Sequence, residues 1–561
     1  MLTRRDFLCV SAAAAAMAGG GSRLGALAAK QAITQDDLLA FEPLGQVTLL
    51  HLTDLHAQLT PLYFREPSVN IGVGEMRGLP PHVTGADLLE RYDIPGDSPM
   101  AYALSPVDFT RLARAYGRVG GLDRIATLVK AVRADRPENT LFLDGGDFWQ
   151  GSYPALASRG GDMAEAMNAL GIDAMTGHWE FTYGQERVTE LIDQLNFPFL
   201  AGNVRDTTWE EPVFESTRFF ERGGVRIAVI GQAFPYTPIA NPGYMMPDWS
   251  FGIREDVVQA NVDAARREGA QVVVLLSHNG FDVDRKMAGR VEGIDVILTG
   301  HTHDALPQVE TVGGTLLVAS GSHGKFLSRL DLDVGSNGVR DYRFRIMPVL
   351  SDAIEPDPET AALIEKIRAP YKEKLDEVLG TTDTLLYRRG NFNGTLDDLI
   401  CSALLERRDA QIALSPGFRW GGSLLPEQEI TAEYIYDATA ITYPEAYRSE
   451  MSGEMLKSVL EDVADNLFNE DPYYQQGGDM VRVGGLGYRI DVRAEMGNRI
   501  SDLQLLPSGE PIAPGKNYVV AGWASVNEGT EGPPIYDLVM QYIRDQGTVA
   551  VEPNDNINVV A

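Results

Sequence analysis

Seven aspartates and histidines fall where a metal site would need them. Asp54 and His56 close the run VTLLHLTDLH, and Asp147 closes LFLDGGD. His178 closes ALGIDAMTGH, His278 closes QVVVLLSH, and His301 and His303 close IDVILTGHTH. Each run is apolar and strand-like, and each ends in a residue type that ligates metals. Of eight histidines, five sit at such ends, where unrelated core or surface histidines would scatter. Gly145 and Gly146 before Asp147 permit the sharp turn such a position requires. Imidazole nitrogen and carboxylate oxygen without thiolate suit Mn²⁺ first, with Zn²⁺ or Fe²⁺ also compatible, and argue against Cu(I) or an iron–sulfur cluster. Seven ligands are too many for one ion. Two divalent ions sharing Asp147 are expected, a pair that acidifies a water and aims it at a tetrahedral centre.

The runs alternate with amphipathic patterns. Strands are expected over 47–52, 140–143, 174–176, 199–202, 225–231, 272–276, 296–299, 316–320 and 327–334, and helices over 119–133, 162–170, 185–195 and 255–268. This alternation indicates a layered α/β domain, with ligands at the carboxyl ends of strands. It defines a dimetal catalytic domain over 31–354. Residues 61–115, rich in Pro, Gly and Tyr, break the pattern and are expected as an insertion on the rim of the site, with a role in substrate recognition. Residues 355–380 predict a linker helix interrupted at Pro370, and 381–561 a second domain of mixed helices and strands that binds substrate.

Thr3-Arg4-Arg5-Asp6-Phe7-Leu8 resembles the twin-arginine export signal, followed by an Ala-rich stretch and Ala26-Leu27-Ala28 as a cleavage site. Residues 1–30 are therefore expected to be a twin-arginine signal peptide, and the protein periplasmic. No later run of about 18 apolar residues exists, so no membrane partner is expected. A net charge of −31 disfavours nucleic acid, whose phosphates need basic patches. Beyond the leader the only cysteine is Cys401, so robustness must come from size and metal rather than disulfides. A monomer is expected.

The motifs D-x-H at Asp54/His56, GD at Asp147, GH at His178, SH at His278 and GHTH at His301/His303 resemble the calcineurin-like metallophosphoesterases. More narrowly, the chain resembles the bacterial 5′-nucleotidase family over nearly all its mature length. The fold implied is a four-layer α/β/β/α metallophosphoesterase-like N-terminal domain plus a 5′-nucleotidase-type C-terminal α/β domain. The resemblance implies one ion on Asp54, His56, Asp147 and His303, and another on Asp147, His178, His278 and His301. One departure is informative. Nucleotidases carry G-N-H-E-F-D, in which the His and the last Asp form a catalytic pair. Here the text is Gly177-His178-Trp179-Glu180-Phe181-Thr182. This GHWEFT form is similar to the SoxB-type thiosulfohydrolases, which implies release of sulfate from a cysteine S-thiosulfonate on a SoxYZ-type carrier protein. Trp179 then takes the place of the catalytic His. Arg419, in Pro416-Gly417-Phe418-Arg419, matches the substrate-anion Arg of nucleotidases, and Arg388 and Arg389 are further candidates for the anion. The competing expectations are an exported 5′-nucleotidase or cyclic phosphodiesterase, and a binding protein without catalysis, against which the intact ligand set argues.

Overall fold

The computed structural model describes residues 33–336 and 338–560. The leader expected over 1–30 lies outside the described residues. Two sheets form the centre of the N-terminal domain. The first runs in the order Gly338–Pro348, Phe326–Gly335, Val47–Leu52, Thr140–Asp144, Ala174–Met175. The second runs Glu310–Val312, Thr315–Ala319, Val296–Thr299, Val272–Ser277, Val225–Gln232, Thr217–Arg222. The strands that carry the predicted ligands pair in parallel, so their carboxyl ends share one side.

Because side chains alternate across a strand, each strand feeds two layers. Val47, Leu49, Leu141, Leu143, Val272, Val274, Val296 and Leu298 meet between the sheets. Val273, Leu275 and Ile297 face outward onto the helices Glu255–Arg267 and Phe281–Ala288. Leu50, Leu52 and Phe142 face the opposite way onto Leu122–Asp135 and Gly161–Leu170. The result is the four-layer α/β/β/α arrangement. Strands buried on both faces explain the near-continuous apolar runs in the sequence.

Between the domains, Asp357 caps the helix Pro358–Arg368 by accepting from the Thr360 N–H (2.9 Å). Pro370 lies in a tighter turn, Ala369–Tyr371, before the short helix Lys372–Leu375. The chain enters the C-terminal domain at the strand Val378–Thr382, which pairs with Glu429–Thr431 and Thr548–Val549. The largest features beyond it are a sheet ordered Tyr447–Ser452, Asn517–Gly522, Ile412–Ser415, Arg482–Gly484, and the helices Thr395–Arg407, Gly453–Phe468 and Ile535–Gln546. Residues 199–202 add no strand. They make single bridges, Met175 to Phe199 and Leu200 to Glu215, instead of extending either sheet.

Candidate dimetal site

The five strand ends converge on one buried cluster of two groups. Asp147, His178, His278 and His301 form one, and Asp54, His56, Asp147 and His303 the other, with Asp147 common to both. Asp147 Oδ2 lies 3.1 Å from His278 Nε2, 3.4 Å from His178 Nδ1 and 3.6 Å from His56 Nε2. His303 Nε2 is 3.3 Å from Asp54 Oδ1 and 3.0 Å from His56 Nε2. Both ring nitrogens of His178 are buried without a partner, as are Nδ1 of His56 and His303 and Nε2 of His278. Buried polar groups ordinarily find hydrogen bonds. Imidazole nitrogens and carboxylate oxygens gathered in two groups around one shared aspartate fit two divalent ions.

Loop geometry makes the convergence possible. Asp54, His56, Asp147, His301 and His303 all adopt positive φ, which L-residues other than Asn, Asp and His seldom do. At Gly146 (φ 96°) a Cβ would press on Gly177 Cα and His278 Nδ1, both 3.0 Å away. Glu180 locks the arrangement. Its buried carboxylate accepts the backbone N–H groups of Asp147 (3.2 Å), Phe148 (2.7 Å), Trp149 (3.3 Å) and His178 (2.8 Å). The Trp179 N–H occupies Asp147 Oδ1 (2.7 Å), which leaves Oδ2 facing the histidines. Two ligands are oriented from behind: His278 Nδ1 donates to Gly145 O (2.6 Å), and His301 Nε2 to Gln476 O (2.9 Å) in the C-terminal domain.

Burial holds His56 down to about 4 and keeps His178, His301 and His303 below the ordinary imidazole value, so these rings stay neutral, the form that ligates. Burial works to raise Asp147, but the charge on His278 beside it overrides this and holds its carboxyl well below the usual carboxylate range.

A cavity of 190 Å³ opens on the cluster, lined by His56, Asp147, His178, His301 and His303 on one side and by Phe418, Arg419, Trp420 and Asp479 on the other. Trp179 forms its wall, edge-on to Phe418 (5.5 Å) and Trp420 (5.0 Å). Thr182 Oγ1 is 2.7 Å from Thr442 Oγ1 across the domain junction. Arg419 reaches the cavity with its Nη1 donating to Thr302 O (2.9 Å) and its Nη2 to Gly478 O and Asp479 Oδ1 (3.2 Å). Arg388 does not reach it. At 2% exposure its Nε is bonded to Asp397 (3.1 Å) and its Nη1 to Trp420 O and Ala438 O, so the expected substrate role is replaced by a structural one. Arg389, 3% exposed, keeps buried Nε and Nη1 unpartnered, with Arg419, Glu66, Asp479 and Asp304 as charged neighbours.

The insertion is not on the rim. None of residues 61–115, all of them described, lines the cavity; Asn70, Ile71, Pro81 and His82 instead wall a small chamber behind His301 and Arg419. Glu180, Gln476 and Asp479 were not among the sequence candidates. GHWEFT contains Glu180, but nothing local in it marks a buried acceptor. His51 and His323 are buried, with Nδ1 of each beside a serine hydroxyl.

Residues 47–305 match the calcineurin-like phosphoesterase family and 378–538 the 5′-nucleotidase C-terminal domain. The solved structure of the sulfate thiohydrolase SoxB from Thermus thermophilus, in complex with glycerol, is 38% identical. It covers 93% of this chain and 98% of that one, with a TM-score of 0.90. A 5′-nucleotidase precursor from Thermus thermophilus shares the fold at 21% identity and TM-score 0.73, over 92% of this chain and 99% of that one. The 5′-nucleotidase of Bos taurus is 26% identical over 509 residues, 81% of this chain and 84% of that protein. The chain belongs to the SoxB family, within the 5′-nucleotidase and calcineurin-like metallophosphoesterase superfamily, and is a metal-dependent hydrolase.

Proposed function

We propose that this SoxB-family hydrolase is a periplasmic thiosulfohydrolase that releases sulfate from a cysteine S-thiosulfonate on the flexible arm of a SoxYZ-type carrier during thiosulfate oxidation. The observation that carries this reading is the pair Trp179 and Thr182, which stand where nucleotidases keep a His and an Asp. Trp179 packs in an aromatic wall and Thr182 is spent on Thr442. Neither delivers a proton at neutral pH. An alkoxide leaving group would lack the acid it needs, whereas a persulfide anion, conjugate base of a much stronger acid, leaves unaided. In the balanced reaction, R–S–S–SO₃⁻ and water give R–S–S⁻, sulfate and two protons. The bond between the sulfane sulfur and the sulfonate sulfur breaks, its electron pair goes with the persulfide, and the oxygen of water ends in sulfate.

Asp54, His56, Asp147 and His303 would hold one ion and Asp147, His178, His278 and His301 the other, Mn²⁺ being the first choice for this donor set. Bound there, the ions supply Lewis acidity and an acidified water. The protein's own groups do the rest. Arg419 holds the sulfonate, whose oxygens suit a guanidinium plane, and Arg389, outside the cavity lining with buried Nε and Nη1 groups unpartnered, adds positive charge behind it. Trp179, Phe418 and Trp420 exclude bulk water, which strengthens these interactions. Export by the twin-arginine route and a monomeric state belong to the same reading. The names of the curated relatives favour a second one, an exported 5′-nucleotidase or cyclic phosphodiesterase. The test is sulfate release by the purified, metal-loaded enzyme from a thiosulfonated carrier. A carrier left intact would end the proposal.

A further inference from the structure

The segment from Leu62 to Ile71 touches both domains at once. On the N-terminal side Leu62 pairs with Val119, the Phe64 ring lies 4.3 Å from His323, and Glu66 forms a buried ion pair with Lys325 (2.8 Å). On the C-terminal side the Ser423 N–H donates to Tyr63 O (2.6 Å), and the Arg65 N–H to Ser423 Oγ (3.1 Å). The Arg65 guanidinium covers the Tyr387 ring at 4.2 Å. Asn391 is the last anchor. Its N–H donates to Val69 O (3.2 Å), and its Oδ1 accepts from the Ile71 N–H (2.7 Å).

Because Oδ1 is fixed by a backbone donor, Nδ2 must face the other way, where it donates to Asp479 Oδ1 (3.3 Å). The same oxygen accepts from Arg419 Nη2 (3.2 Å), while Asp479 Oδ2 accepts from Arg482 (3.0 Å). We infer that Asn391 is a positioning residue: held by the 62–71 strap, it orients Asp479 and through it the Arg419 guanidinium at the mouth of the dimetal cavity. The insertion thus acts on anion recognition from behind. The inference rests on the assignment of Arg419 to the sulfonate.

A strap residue that only braced the fold would weaken every variant alike. A residue that works through Arg419 would lose its effect once Arg419 is altered. The test is a double-mutant cycle of Asn391→Ala and Arg419→Lys, read as kcat and KM for a thiosulfonated carrier, with melting temperature and metal content checked. Asn391→Ala should lower kcat/KM about tenfold in the wild-type background, mainly through KM, and less than about twofold in the Arg419→Lys background. Equal losses in both backgrounds would overturn the inference alone. An Arg419→Lys enzyme as active as wild type would remove the anion assignment, and the inference with it. Should Asn391→Ala fold poorly, the milder Asn391→Ser enters the same cycle under the same two criteria.

Discussion

His301, carried by the N-terminal domain and one of the four residues grouped around Asp147, is oriented by Gln476 of the C-terminal domain: its Nε2 donates to the Gln476 carbonyl at 2.9 Å. That bond fixes the tautomer and leaves Nδ1 for the metal, and such outer partners are worth about 10–100-fold in metal affinity. The second domain therefore completes the metal site as well as bounding the cavity.

Gly477 makes this relationship testable. Its φ is +72°, and a Cβ there would collide with His301 Nε2. Gly477→Ala should keep the fold and lower the affinity of one ion of the pair about 10–100-fold. Elemental analysis after dialysis is the measurement; two ions retained as tightly as in wild type would contradict the arrangement.

Asp147 is the one residue common to both ligand groups. Asp147→Ala should lose both ions, and His178→Ala one. Equal stoichiometry in the two variants would mean that Asp147 is not shared.

Glu180 gathers four backbone N–H groups onto one buried carboxylate. In Glu180→Gln one acceptor becomes a donor aimed at a donor, so metal-free stability should fall by about 3 kcal/mol. Denaturant unfolding measures it, and a change below about 0.5 kcal/mol would assign the Glu180 contacts little weight.

His82 fastens the insertion to the helix Phe281–Ala288 through Asp282 (2.8 Å). Burial works to lower His82, but the Asp282 hydrogen bond and charge override it and raise its pKa above 6.5. A raised folded pKa stabilises fully below the unfolded value and is lost as pH climbs through the folded one. The melting temperature of wild type should therefore exceed that of Asp282→Asn at about pH 6, and the gap should close by about pH 9. A gap that widens with pH would refute the pair.

The residues of the two buried groups were legible because each closes an apolar run, and a buried parallel strand writes such a run plainly. The four layers followed from alternating patterns. Arg388 and Arg389 could not be told apart by sequence: adjacent residues point opposite ways, and only packing decides which one Asp397 neutralises. Gln476 acts through a backbone carbonyl, which has no side-chain signature. The edge strand Gly338–Pro348 did carry a signal, Tyr342, Phe344 and Ile346 alternating with Arg343 and Arg345, but its exposed half reads as a polar loop. The insertion looked like a rim because Pro and Gly mark surface excursions; its path behind the site depends on contacts with residues more than 300 positions away, such as Asn391 (320) and Ser423 (358).

With Trp179 and Thr182 in the places of a nucleotidase's His and Asp, the expected leaving group is a sulfur anion and not an alkoxide. The most direct measurement offers one metal-loaded preparation both AMP and a thiosulfonated carrier in heavy-oxygen water, and follows phosphate, sulfate and carrier mass together. The expected products are sulfate bearing one heavy oxygen and a carrier lighter by one SO₃ unit, its persulfide, with AMP left intact. Phosphate released at about 1–10³ per second beside an unprocessed carrier would contradict that expectation.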